Sequence, residues 1–217
     1  MQRLALFDLD NTLVNLDEAF QVWAAEFADD RGLDFEAVEW LIALDRAGYP
    51  HREVFFAQVR EHFDLSESVE ELWGRYRKRM PYLVRCRHEV MDGLARLRAS
   101  GWKVAIVTNG TADNQLGKIQ RTGLANTVDA YALSGVDGLR KPDRGLFEIA
   151  AQRCGANLDA GGWMIGDDLV ADIAGGRAVG LHTIWIDRGA RPDHWQDADH
   201  VVTDVLQAME ILHGEAS

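Results

Sequence analysis

The sequence has few basic residues, few cysteines and no long apolar run. Its 23 lysines and arginines face 35 aspartates and glutamates, which gives a formal net charge of -12. A chain of this sign is repelled by phosphate backbones and by anionic lipid headgroups, so nucleic acid and membrane surfaces are not expected partners. A phosphate substrate would need a local positive charge, from a metal ion or a lysine, to bind such a protein.

The two cysteines do not form a CxxC pair. A disulfide framework is therefore not expected, and the reducing cytoplasm is the expected compartment. The first apolar run, LALF, is too short for a signal peptide, and no run approaches the length of a transmembrane helix. A chain of 217 residues with these features suits one globular α/β domain that carries an insertion.

Hydrophobic patterning divides the chain into two regions. Residues 4–7 are predicted to form a buried strand, and helical periodicity follows from about residue 17 to residue 80, where Ser68 and Glu71 form a capping box. From about residue 86 onward strands alternate with helices, which is typical of a parallel sheet with helices on both faces. The pattern predicts an α/β core in residues 1–14 and 86–217, and an inserted all-helical domain in residues 15–85.

Three predicted strands end in polar residues that could act on a ligand: Asp8, Thr108 and Asp167. Ligands of open parallel sheets bind outside the carboxyl ends of the strands, so we expect these side chains at one edge. Asp8 and Asp10 are two positions apart, and in extended backbone their carboxylates face one site. Close like charges push the two pKa values apart, which suits a nucleophile beside a general acid or base.

Further acids follow the strand that ends in GDDLVAD: Asp167, Asp168 and Asp172. Convergent carboxylates repel, and each pair at ~4 Å would cost roughly 4 kcal/mol at the effective dielectric of a protein surface. Oxygen ligands at this density suit Mg²⁺, a hard cation that prefers carboxylates and substrate phosphate. The sequence therefore predicts Mg²⁺ at this edge, where the ion would also offset the acidic charge of the protein.

Two residues could hold a phosphoryl group. Thr108, in VTNG, offers a hydroxyl beside backbone N–H groups at the start of a helix, and Lys141, in RKPD, offers a positive charge. Phosphoryl transfer depends mostly on positioning and on neutralising charge at the equatorial oxygens. A carboxylate nucleophile, a hydroxyl, a lysine and a metal ion together indicate phosphohydrolase chemistry.

These motifs resemble those of the haloacid dehalogenase-like (HAD) superfamily, and they occur in that family's order. FDLDNT is similar to the first motif DxDxT, VTNG to the second, Lys141 to the third and GDDLVAD to the fourth, GDxxxxD. The resemblance runs from Leu4 to about Asp187, with the helical insert similar only in placement. The segments TNGTADNQLGKIQRTGL and LSGVDGLRKPDRGLFEIA resemble one HAD subgroup, which is more specific than the motifs alone.

The resemblance implies a Rossmann-like doubly wound core with a helical C1-type cap, and a Mg²⁺-dependent phosphatase acting on a small phosphorylated metabolite. Asp8 would be the nucleophile, and Asp10 would protonate the leaving group and then activate water. The implied catalytic residues are Asp8, Asp10 and Lys141. The implied phosphate-binding residues are Thr108, Asn109 and Lys141, and the implied metal ligands are Asp8, Asp10 (through its carbonyl) and Asp167. Asp172 would support the metal or Lys141, and Asp168 adds a charge of no assigned effect.

Three alternatives remain open at this point. A dehalogenase of the superfamily needs neither a metal nor a second acid, so Asp10 and Asp167 favour phosphate chemistry. A phosphomutase would use the same residues while shielding the aspartyl-phosphate from water. A non-enzymatic receiver-like phospho-acceptor also combines Asp, Thr, Lys and Mg²⁺, but it places its acceptor on a middle strand and has no helical insert after the first strand.

Overall fold

The structure is a computed structural model that describes residues 2–48, 52–189 and 198–215. The chain divides into two compact units, one of Met1–Asn15 with Arg85–Ser217 and the other of Leu16–Val84. The sequence predicts the ranges 1–14, 15–85 and 86–217, and these boundaries differ from them by one residue at each junction. Each helix within the described ranges is too short or too polar to span a lipid bilayer.

The regular elements that the structure describes in the smaller unit are all helices. Its helices are α1 Leu16–Asp29, α2 Phe35–Arg46, α3 Arg52–His62 and α4 Val69–Leu83. Aromatic rings fill its interior: the ring of Trp23 lies 5.0 Å from that of Tyr76 and 5.8 Å from that of Phe56, both nearly perpendicular. The predicted capping box is present, since Ser68 Oγ accepts from the Glu71 N–H and the Glu71 carboxylate accepts from the Ser68 N–H.

A parallel sheet forms the larger unit. Its strands are β1 Leu4–Phe7, β2 Lys103–Thr108, β3 Ala130–Leu133, β4 Trp163–Gly166, β5 His182–Ile186 and β6 His200–Val202. Within the described residues the strand order is β3-β2-β1-β4-β5-β6, and every neighbouring pair is parallel. The order reverses direction at β1, so β1 lies between β2 and β4. Such a reversal is where ligands bind in open α/β sheets.

Helices cover the sheet. They are α5 His88–Ala99, α6 Ala112–Arg121, α7 Ser134–Asp137, α8 Arg144–Arg153, α9 Gly175–Ala178 and α10 Val205–Gly214, with a π-helical turn, Leu169–Ala174, directly before α9. Leu4 and Leu6 of β1 pack in one apolar cluster with Phe147 of α8. All four residues of β1 are buried, which the unbroken apolar run predicts for a strand covered on both faces. The predicted Rossmann-like α/β fold is confirmed.

Candidate active site

The site lies at the carboxyl ends of the three central strands. Asp8 directly follows β1, Thr108 is the last residue of β2, and Asp167 directly follows β4. The Asp8 N–H donates to the Ile165 carbonyl at 2.8 Å, which extends the pairing of β1 and β4 to the first site residue. Parallel pairing thus brings together residues that are about 100 and 160 positions apart in the sequence.

Three carboxylates form a cluster at this edge. Asp8, Asp167 and Asp172 each place one oxygen within 4.8 Å of the others, and Asp8 and Asp172 are buried. Asp172 reaches the cluster from the π-helical turn that follows β4. A group of three convergent acids is the donor set that a hard divalent cation prefers.

Lys141 joins two of these acids. Its Nζ donates to Asp8 Oδ1 and to Asp172 Oδ1, both at 2.6 Å, and the lysine is 3% exposed. Burial alone would lower the pKa of Lys141, but the carboxylates of Asp172 and Asp8 outweigh that effect and raise it. The lysine therefore carries a fixed positive charge beside the proposed nucleophile.

The pKa values of Asp8 and Asp167 are raised above the ordinary value of an aspartate. Burial raises the pKa of Asp8 to about 7, against the opposing charge of Lys141 and with a further rise from Asp172. Burial and the negative charges of Asp8 and Asp172 raise the pKa of Asp167 to about 8. In both residues the neutral acid is favoured because the negative charges lie close together in a poorly solvated place.

The GDD sequence positions Asp172 through close backbone contacts. The Asp168 N–H donates to Asp172 Oδ2 at 3.1 Å, and a Cβ atom on Gly166 would overlap the Asp172 carboxylate. The side chain of Asp168 caps the π-helical turn, because its Oδ1 accepts from the N–H groups of Val170 and Ala171 at 2.8 Å each. Asp168, which had no assigned role in the sequence analysis, thus orders the turn that carries Asp172.

Replacing Gly166 with alanine should destabilise the protein by more than about 2 kcal/mol, because the added methyl group and the Asp172 carboxylate cannot occupy the same space. Thermal unfolding measures the effect. The matched control is Gly74→Ala in α4, where a Cβ meets no atom within 4 Å and the melting temperature should hold or rise slightly. Equal melting temperatures for Gly166→Ala and the wild type would contradict the close contact.

Asn109 connects the ends of two loops. Its Nδ2 donates to the Lys141 carbonyl at 3.0 Å, and its Oδ1 accepts from the Lys141 N–H at 2.9 Å. The side chain predicted to contact phosphate therefore fixes the backbone of Lys141, the lysine predicted to bind phosphate. The phosphate contact of Asn109 stays a prediction.

Asp10 has partners that the sequence did not indicate. Lys118 and Gln115, both on α6, donate to its carboxylate, and Gln115 also donates to Thr108 Oγ1 at 2.7 Å. Because Thr108 Oγ1 accepts there, its own hydroxyl proton can be donated to a phosphoryl oxygen. The sequence does contain a sign of these contacts. Gln115 and Lys118 lie three positions apart on the buried face of α6, beside Ile119, where an amphipathic helix normally carries apolar residues.

The family model of the haloacid dehalogenase-like hydrolases matches residues 2–180 of this sequence. This chain belongs to the haloacid dehalogenase-like hydrolases. The ribulose-1,5-bisphosphate 5-phosphatase of Halopiger xanaduensis is 30% identical over 94% of this chain and 92% of its own length. This match confirms the resemblance drawn from the four motifs, and relatives of this kind confirm the prediction of a phosphoric monoester hydrolase.

Solved structures of the family show the same fold as this HAD-like hydrolase. A HAD phosphatase from Thermococcus onnurineus superimposes with a TM-score of 0.68 at 25% identity, with 100% of both chains covered. The HAD hydrolase YfnB from Bacillus subtilis, solved bound to magnesium, gives a TM-score of 0.78 at 21% identity over 98% of this chain and 99% of its own.

The metal-free HAD-like hydrolase should lose stability as the pH rises. The pKa values of Asp8 and Asp167 are about 7 and about 8 in the fold, against 3.8 for the ordinary side chain. Between these limits the folded state binds more protons than the unfolded state, so the free energy of unfolding falls with increasing pH.

Melting temperatures in EDTA from about pH 5 to about pH 8 would measure this loss, and added Mg²⁺ should raise the melting temperature more at the higher pH. In the Asp167→Asn variant, the melting temperature of the metal-free protein should depend less on pH. If the melting temperature of the metal-free protein rises with pH across this range, burial does not keep Asp8 and Asp167 neutral.

Proposed function

We propose that this protein is a Mg²⁺-dependent phosphatase that hydrolyses a small phosphorylated metabolite, such as a sugar phosphate or a nucleoside monophosphate, through an aspartyl-phosphate on Asp8. The observation that supports it most directly is the Asp8 carboxylate at the end of β1, hydrogen-bonded to a buried lysine and clustered with two further acids. Its relatives include phosphatases named for ribulose bisphosphate, phosphoserine and glyceraldehyde 3-phosphate.

The donor set fits Mg²⁺. When Asp8, Asp167 and Asp172 are all ionised, they carry more negative charge than the buried Lys141 offsets, and a divalent cation would offset the remainder. Asp8 and Asp167 would hold the ion with their carboxylates and Asp10 with its backbone carbonyl, while Asp172 holds Lys141. When bound, the ion supplies positive charge to the phosphoryl oxygens.

In the first half-reaction a carboxylate oxygen of Asp8 attacks phosphorus, and the bond from phosphorus to the ester oxygen breaks. Asp10 donates a proton to that oxygen, so that the product leaves as an alcohol. The Lys141 ammonium and the Thr108 hydroxyl neutralise charge on the transferred phosphoryl group. Since Asn109 binds both polar groups of the Lys141 backbone, the lysine keeps its place as charge develops.

In the second half-reaction water attacks phosphorus, and the bond from phosphorus to the Asp8 oxygen breaks. Asp10, now ionised, accepts the proton of the attacking water, and inorganic phosphate leaves while the Asp8 carboxylate is regenerated. The helical unit is proposed to serve as the cap domain that the family resemblance implies. A phosphomutase of the same fold remains the second candidate, because it needs the same residues and differs only in the acceptor of the phosphoryl group.

Release of inorganic phosphate from a panel of phosphorylated metabolites tests the proposal. We expect at least one sugar phosphate or nucleoside monophosphate to be hydrolysed with kcat/KM above about 10⁴ M⁻¹s⁻¹. Transfer of phosphate to a second position of the substrate without release would identify a phosphomutase. Halide release from haloacids would identify a dehalogenase, and a single phosphorylation of the protein without turnover would identify a phospho-acceptor.

A further inference from the structure

A buried ion pair holds the second acid of the site. Lys118 Nζ donates to Asp10 Oδ1 at 2.8 Å and to Oδ2 at 2.7 Å. The lysine side chain is 2% exposed and that of Asp10 is 22% exposed. Contact with both oxygens restrains the position of the carboxylate.

A buried amide connects this ion pair to the phosphoryl-binding end of β2. Gln115 Nε2 lies 3.0 Å from Asp10 Oδ2 and 2.7 Å from Thr108 Oγ1, and it also contacts the Asn109 carbonyl at 3.3 Å. Gln115 is 1% exposed. One nitrogen therefore sets the place of the Asp10 carboxylate relative to the hydroxyl that would bind the phosphoryl group.

Stability alone does not account for this arrangement. Burying an ammonium group costs several kcal/mol of hydration, and a well-packed apolar side chain at such a place is often as stable or more stable. The same face of α6 buries Ile119, so an apolar residue at position 118 would continue an apolar surface. We therefore attribute the buried charge at position 118 to the acid that it holds.

We infer that Lys118 and Gln115 are positioning residues that hold the Asp10 carboxylate for the hydrolysis of the aspartyl-phosphate. The inference rests on the proposed function. In that step the oxygen of water forms a bond to phosphorus, one water proton passes to Asp10, and the bond from phosphorus to Asp8 breaks. The contacts from Lys118 to both oxygens and the contact from Gln115 hold the carboxylate that accepts this proton beside the phosphoryl group.

The test separates the two half-reactions with 4-nitrophenyl phosphate, whose leaving group departs without a proton. In Lys118→Met the steady-state kcat should fall by about 10- to 100-fold, because hydrolysis of the aspartyl-phosphate becomes rate-limiting. The KM should fall in parallel, so that kcat/KM stays within about threefold of the wild type. Stopped-flow mixing should show a burst of about one nitrophenolate per active site, followed by slow turnover.

Matched variants separate charge, hydrogen bonding and folding. Lys118→Arg retains the charge and should restore part of the kcat, and Gln115→Met should give the same burst with a smaller loss. Lys103→Met, at an exposed lysine that begins β2, should leave every constant unchanged. Circular dichroism reports whether each variant folds. If Lys118→Met does not fold, Gln115→Met alone tests the inference.

The inference is overturned if kcat and kcat/KM fall equally in both variants with no burst, since that pattern indicates a general structural defect. It is also overturned if neither variant changes kcat. The proposed function is tested separately. It is wrong, and the inference with it, if the wild-type protein hydrolyses no phosphate ester or if the Asp8→Asn variant retains turnover.

Discussion

The Asp8→Asn variant is expected to lose turnover by at least about 10⁴-fold while keeping its fold. The asparagine amide has the shape of the carboxylate but cannot attack phosphorus, and loss of a covalent nucleophile is among the largest effects of a single substitution. Released phosphate measures turnover, and mass spectrometry of acid-quenched protein should show no phosphorylated species.

The stability of Asp8→Asn should match or exceed that of the wild type in metal-free buffer. Burial and neighbouring acids raise the pKa of Asp8, so its negative charge is unfavourable where it lies, and the amide oxygen can still accept from Lys141. Asp92→Asn is the matched control, since it makes the same change at an exposed acid of α5 and should leave activity intact. Phosphate release by Asp8→Asn at the wild-type rate would remove Asp8 from the mechanism.

Removal of divalent metal should reduce activity by at least about 100-fold, and Mg²⁺ should restore it fully. The reason is that the ionised carboxylates of Asp8, Asp167 and Asp172, which the reaction needs, would repel a phosphate dianion unless a cation were present. Initial rates are measured after dialysis against EDTA and again during titration with MgCl₂.

The Asp167→Asn variant sharpens this experiment, because it removes one proposed ligand and leaves the nucleophile in place. It should need at least about 10-fold more Mg²⁺ for half-maximal activity. Asp168→Asn is a useful comparison, since that side chain accepts N–H bonds within its own turn and its substitution should affect the metal requirement less. Full activity in metal-free buffer would contradict the proposal and favour the dehalogenase alternative.

The fold could be predicted from sequence because its signals are local. The run LALF, the capping box at Ser68 and the alternation of strands with helices each depend on neighbouring residues, and the described residues contain the strands and helices that these patterns predict. Asp8, Thr108 and Asp167 could be placed at one edge for the same reason, since each stands at the end of a predicted strand.

The partners of the site residues could not be predicted, because they depend on how distant segments pack. The sequence left two roles open for Asp172, and the structure joins its carboxylate to Lys141 and includes it in the acidic cluster. The contacts of Gln115 and Lys118 with Asp10 depend on how α6 is rotated against the sheet. Hydrophobic periodicity indicates which face of a helix is buried but not which polar atom it will meet.

The order of the strands also has a consequence for protein synthesis. β1 is made first, yet its pairing partner β4 begins at Trp163, so the acids of one cluster are translated more than 150 residues apart. A nascent chain on the ribosome therefore carries Asp8 long before it has Lys141, Asp167 or Asp172 beside it. In the proposed mechanism, hydrolysis requires Lys141 and Asp167 as well as Asp8, so we expect incomplete chains that lack β4 to be inactive.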